Sequence, residues 1–185
     1  MTATRRTLLS ALALAPLLIA TGCAPSGDGQ DGADAVTTVY LVRHAEKTAK
    51  NIGDATDPAL TPDGQARADA LATRLAGAGL THIHSSDTRR TRDTAAPIAA
   101  ATGLTVGLYD PRDLPGMAET LRATPGTHLV VGHSNTTPQL VEALGGEPGA
   151  PIVEATEYDR LYTVRLMADG TVDSMLDRFG ATSPR

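Results

Sequence analysis

Two short apolar runs in this chain end in histidine, Leu41-Val42-Arg43-His44 and Val130-Val131-Gly132-His133. A β-strand that stops at a histidine delivers that side chain to the strand's carboxyl end. Parallel α/β sheets place their ligands there. Two such strands bring Arg43, His44 and His133 within reach of one pocket. Guanidinium and imidazole groups crowded together suit an anion, and phosphate above all, because charge-assisted hydrogen bonds to its oxygens are short and strong.

Strands and helices in alternation must hold these groups. Val36 to Val42 is β-branched and aromatic and reads as a buried strand. Thr61-Pro62-Asp63 opens a helix with a hydroxyl cap, a proline at the first helical position and an acid in the first turn. Leu71, Leu75 and Ala78 share one face of it, and Gly77 and Gly79 mark its end. The pattern then predicts a strand over 80–84, a helix over 87–101, a strand over 104–109, a short helix over 117–123 and a strand over 128–132. A helix over 136–144 follows, and two strands, 161–167 and 172–176, flank the Asp169-Gly170 hairpin signal. The fold class is α/β: a three-layer sandwich with a mainly parallel sheet flanked by helices and a C-terminal β-hairpin. Residues 46–60 read as a long structureless loop suited to a pocket rim.

Residues 1–22 stand apart. Arg5-Arg6 precede the apolar run Leu8 to Ala20, the layout of an export signal, with Sec and twin-arginine routes both open. Ala20-Thr21-Gly22-Cys23 then resembles a bacterial lipobox, so the chain's single cysteine is expected to be the lipidated N-terminus of an exported, envelope-anchored lipoprotein. Residues 23–36, rich in Gly and Asp, read as a tether, and residues 37–185 as one domain large enough to bury a core. Removing residues 1–22 takes away two arginines and no acids, moving the net charge from −5 to −7. An acidic chain without a basic run argues against nucleic acid as partner, so anion selectivity must be local. A lone cysteine excludes an intrachain disulfide. Oligomeric state is not legible.

The motifs Arg43-His44-Ala45, Ser85-Ser86-Asp87-Thr88-Arg89-Arg90-Thr91-Arg92-Asp93-Thr94-Ala95 and Gly132-His133 resemble, in order, those of the histidine phosphatase superfamily, the phosphoglycerate mutase-like fold. The resemblance implies that His44 is the nucleophile that becomes a phosphohistidine, that Arg43 and Arg90 clamp the phosphoryl group, and that His133 donates to its equatorial oxygens. Arg89 and Arg92 read as solvated neighbours, the choice of Arg90 resting on its spacing to Thr94-Ala95. Ala45 stands where the family has Gly. The general acid is expected at Asp110 first and Asp113 second, with Glu157-Tyr158-Asp159 a further place and no acid at all the remaining option. An Asp before Pro is equally a turn residue.

No cofactor or metal is expected. His82 and His84 alternate on one strand face as zinc ligands might, but no third ligand has suitable spacing. The reading is a histidine acid phosphatase-type hydrolase of a phosphomonoester or labile phosphoryl compound, acting on a small phosphorylated substrate. The alternatives are phosphoglycerate mutase-type transfer and a catalytically silent lipoprotein that binds phosphate or a partner.

Overall fold

The computed structural model describes residues 35–49 and 56–184. The expected export segment, Cys23 and most of the expected tether lie outside the described residues. Six strands and four helices alternate: β1 (Ala35–Arg43), α1 (Pro62–Arg74), β2 (His82–Ser86), α2 (Arg89–Thr102), β3 (Val106–Tyr109), α3 (Leu114–Ala123), β4 (Gly126–Gly132), α4 (Thr136–Ala143), β5 (Arg160–Met167) and β6 (Val172–Arg178). They build one sheet in the order β3-β2-β4-β1-β5-β6. β3, β2, β4 and β1 run parallel, and β5 and β6 add an antiparallel hairpin beyond β1.

The near-continuous apolarity of β1 has a simple cause: both faces are covered. Val39 and Leu41 pack with Met117, Leu121, Leu140 and Leu144 of the α3/α4 layer. Val42 packs on the other side with Leu71, Leu75, Ala95 and Ile98 of the α1/α2 layer. The three-layer expectation therefore holds, with a core on each side of the sheet. Thr61 caps α1 as its sequence indicates, its hydroxyl accepting from the Gly64 amide at 3.0 Å. Gly64 is required at that turn, because a Cβ would lie 2.1 Å from the Glu46 carbonyl oxygen.

Several boundaries differ from the sequence expectation by two or three residues, and those of β2 and α3 bear most on the site. β2 starts and ends two residues later than 80–84, closing on Ser85 and Ser86. Hydropathy rejects serines as strand residues, but both are fully buried and their hydroxyls are hydrogen-bonded internally. α3 begins at Leu114 rather than 117 because Asp113 caps it, its carboxylate accepting from the Gly116 amide at 3.0 Å. The loop read as structureless is partly paired: Lys47 bridges Leu60, and the Thr48 amide donates to Ala59 at 2.9 Å.

Register decides what matters for function. β1 and β4 pair with Arg43 opposite Gly132, so the next residue on each strand is a histidine. The His44 amide extends the ladder by donating to the Gly132 carbonyl at 2.9 Å. Ser85 of β2 lies opposite Val131, which sets Ser86 at the same level. Three neighbouring strands thus end together at one edge of the sheet.

Candidate active site

His44 is almost wholly buried, at 3 % exposure. Its Nδ1 lies 2.8 Å from the Ala45 carbonyl oxygen. A carbonyl only accepts, so Nδ1 carries the hydrogen and the Nε2 lone pair is left available. Burial holds the imidazole pKa down to about 3, helped by the nearby Arg43, Arg90 and His133. The ring is therefore neutral at physiological pH. Ala45 sits here without strain: no non-glycine residue described has a positive φ, and the Ala45 methyl is fully buried.

His133 stands with its ring centroid 5.6 Å from that of His44, in an edge-on arrangement. Burial and the two arginines lower its pKa to about 4. Gly132 is needed behind it, since a Cβ there would meet the Tyr109 hydroxyl at 2.9 Å and the Thr137 hydroxyl at 3.0 Å. The His133 amide donates to the Thr136 hydroxyl at 3.0 Å, which starts α4 directly after the histidine.

Arg43 and Arg90 approach from two elements. Arg43, 2 % exposed, donates from Nη1 to the Glu157 carbonyl at 2.8 Å and from Nη2 to the Glu154 carbonyl at 2.7 Å. The Tyr158 ring lies 4.0 Å from its guanidinium carbon. Arg90 reaches in from the first turn of α2, with Nη2 3.4 Å from His133 Nδ1. Thr94 fixes that turn: its hydroxyl donates to the Arg90 carbonyl at 2.7 Å and accepts from the Ala45 amide at 2.9 Å. The Arg-to-Thr spacing of the sequence is thus one helical turn clamped onto Ala45, the residue after His44. The Nε–H groups of both arginines are buried without a hydrogen-bond partner among the described residues. A charged donor left so is costly unless an anion arrives to accept it.

The structure therefore brings Arg43, His44, Arg90 and His133 together. It does not bring the expected acids to them. Asp110 is turned to Arg112, whose guanidinium holds its carboxyl down to about 2. Asp113 is the α3 cap. Glu157 is buried against Arg160 and Arg178, which hold it at about 2. Asp159 pairs with Arg178 and accepts from the Ser183 amide. That buried network braces the 154–157 segment whose carbonyls hold Arg43. Arg89 and Arg92 are solvated, as expected, and pair with Asp93 and with Asp87 and Asp57.

His82, His84 and His128 form a parallel stack, with centroids 4.5 to 6.2 Å apart and ring planes within 12°. His128 Nε2 donates to the Thr124 carbonyl, and His84 Nε2 then donates to His128 Nδ1 at 3.0 Å. Stacked rings aim their nitrogens sideways rather than at one point. No group of metal-holding residues occurs among the described residues.

Three contributors carried no role in the sequence reading. Asp57 accepts from the Arg89 amide at 2.7 Å, capping α2 from the loop where Thr88 makes no side-chain cap, and it lies 3.8 Å from Arg90. Tyr158 walls Arg43. Ser86 lies 2.9 Å from His133 Nε2. Ser86 and Tyr158 lie within stretches the sequence already singled out, but only the fold shows where they point. A cleft of about 420 Å³ opens beside Ser134, Asn135 and Glu154, and one of about 480 Å³ beside Ser86, Tyr109 and Asp110.

Residues 39–119 match the model of the histidine phosphatase superfamily, branch 1. The chain is 47 % identical over 77 residues to "Probable phosphoglycerate mutase GpmB" of Yersinia pestis, covering 40 % of this chain and 35 % of that protein. The match thus spans about a third of the relative's length. Among solved structures it is similar to the protein histidine phosphatase SixA complexed with tungstate, with TM-score 0.61, 17 % identity and coverage of 76 % of this chain and 96 % of that one. It is also similar to phosphoserine phosphatase from Entamoeba histolytica in complex with 3-phosphoglyceric acid, with TM-score 0.54, 18 % identity and coverage of 79 % and 98 %.

Proposed function

We propose that the chain, whose residues 39–119 match the histidine phosphatase superfamily, is a phosphatase of that superfamily working through a phosphohistidine on His44. The observation that carries this reading is the pair of buried, unpartnered guanidinium Nε–H groups beside a neutral imidazole with its Nε2 lone pair available. Arg43 and Arg90 orient the phosphoryl group. His44 Nε2 attacks phosphorus as the bond to the leaving group breaks, and the leaving group departs with the bonding electrons and takes any proton it needs from solvent. Water then attacks the phosphohistidine, returning neutral His44 and inorganic phosphate. His133 and the arginines stabilise the charge spread over the equatorial oxygens.

The engagement of Asp110, Asp113 and Glu157 elsewhere favours labile phosphoryl donors, whose leaving groups need little or no protonation, over simple alkyl phosphates. Mixing with nitrophenyl phosphate and quenching rapidly should give an acid-labile, alkali-stable phosphate on His44. His44→Ala should abolish both label and turnover in a folded domain, and a label on another residue would overturn the mechanism. Mutase-type transfer is the second reading, supported by the relative's name, and release of inorganic phosphate rather than isomerisation of 3-phosphoglycerate separates the two.

The Ala20-Thr21-Gly22-Cys23 pattern supports export and anchoring of this enzyme to the bacterial envelope by lipid on Cys23. No described helix is long and apolar enough to cross a membrane. Cys23→Ala should release the protein from membrane fractions or leave its precursor uncleaved.

A further inference from the structure

Ser86 has no place in the chemistry so far, yet it is fully buried at the end of β2 with its hydroxyl 2.9 Å from His133 Nε2. The hydrogen-bond directions around it follow from their far ends. Arg90 Nη2 faces His133 Nδ1 at 3.4 Å, and a guanidinium only donates, so Nδ1 bears a lone pair. The hydrogen of the neutral ring is then on Nε2 and points at Ser86. Ser86 Oγ can accept it because its own hydrogen goes to the Thr91 hydroxyl at 3.1 Å. Thr91 in turn has a backbone carbonyl for its single hydrogen, that of Ser86 at 2.7 Å or that of Thr88 at 2.8 Å. The relay runs one way, from imidazole to serine to threonine to backbone.

We propose that Ser86, backed by Thr91, is a positioning residue that keeps His133 as the Nε2–H tautomer, so that binding a phosphate-like dianion loads a proton onto His133 Nδ1. This rests on the reading that the Arg43/Arg90 cradle takes a phosphoryl group, and it extends that reading to the protonation state of the site. In the free protein the groups around His133 disfavour a second proton. Arg43 and His44 stand at the end of β1, Arg90 on α2, Ser86 on β2 and the neutral Tyr109 hydroxyl behind Gly132 from β3, while Asp57 pairs with Arg90 from the loop. A dianion between the arginines reverses that balance. The proton comes from the medium and lands on the lone pair of Nδ1. The imidazolium then donates from Nδ1 to an oxygen of the anion and from Nε2 to Ser86. Without Ser86 as acceptor, the second of those donors is left buried and unpaired.

The test measures tungstate binding to the protein by calorimetry at pH 7 in two buffers of different ionisation enthalpy. Wild type should take up at least about half a proton per site. Ser86→Ala should cut that uptake at least about twofold and lower kcat/KM for nitrophenyl phosphate about tenfold or more, with its thermal melt intact. Nitrogen NMR on wild type decides the matter even if Ser86→Ala fails to fold. His133 should be neutral with hydrogen on Nε2 when free, and doubly protonated with tungstate bound. A free Nδ1–H tautomer, a neutral ring in the complex, or unchanged uptake and turnover in Ser86→Ala would each overturn the proposal. Normal phosphorylation of His44 without proton uptake would sink this inference alone. Absence of both tungstate binding and the His44 label would sink the functional reading beneath it.

Discussion

Lowering the pH from about 6.5 to 5 should destabilise this protein far more than its carboxylates can explain. His44 has its pKa lowered to about 3, His84 to about 4 and His133 to about 4, in each case chiefly because burial penalises the charged ring. An unfolded histidine titrates near 6.5. The unfolded chain therefore binds protons that the folded chain refuses, and stability must fall as pH drops below 6.5. The stabilising contribution is fully present above 6.5 and is lost progressively down to the folded values near 3 to 4. Each pH unit costs about 1.4 kcal/mol per histidine, so three histidines over 1.5 units cost about 6 kcal/mol at most. That approaches the whole stability of many domains. The lowered carboxyl groups, Asp110 and Glu157 at about 2, act only below their unfolded values, under pH 4.5. Urea titrations at pH 7, 6 and 5 measure the effect, and tungstate should flatten the slope by giving His44 and His133 a counter-charge while leaving His84 untouched. A stability change below about 1 kcal/mol between pH 6.5 and 5 would refute the buried, neutral state assigned to these rings.

Other outcomes follow from single contacts. Arg90→Ala should lower turnover about 10²-fold or more with alkyl and aryl phosphates alike, because it removes a charged donor from the transferring group; steady-state rates on both substrate types check this. Asp110→Asn should leave both substrate types within about threefold of wild type, since its carboxylate serves Arg112, and a severe loss confined to alkyl phosphates would restore it as general acid. Asp113→Ala should cost about 1 kcal/mol by denaturant melt through loss of the α3 cap, with kcat unchanged. Gly132→Ala should cost about 1–3 kcal/mol, because its methyl group meets the Tyr109 and Thr137 hydroxyls, and should lower kcat through a displaced His133.

Asp110 shows best where a sequence stops informing. Its place after the third strand suits an acid, and its neighbours Pro111 and Arg112 suit a turn. The decision depends on a side-chain rotation that puts its carboxylate on Arg112. Glu157 is similar: nothing local tells that Arg160 and Arg178 will enclose it.

What the sequence alone determined is the set of candidate residues and their order along the chain. Strand ends at His44 and His133, the α1 cap at Thr61, the Arg90-to-Thr94 turn and the Asp169-Gly170 hairpin are all local patterns, carried by side-chain alternation, capping and backbone preference within a few residues. Tertiary structure decided everything that depends on partners far apart in the chain. It set Arg43 opposite Gly132, which makes the two histidines neighbours. It gave Arg43 its carbonyl acceptors at Glu154 and Glu157, over 100 positions away. It also pointed Ser86 at His133, 47 positions on, and brought Asp57 to cap α2. The physical reason is that sheet register and buried hydrogen bonds are settled by packing the whole core, and every buried donor must find its acceptor wherever the fold has left one.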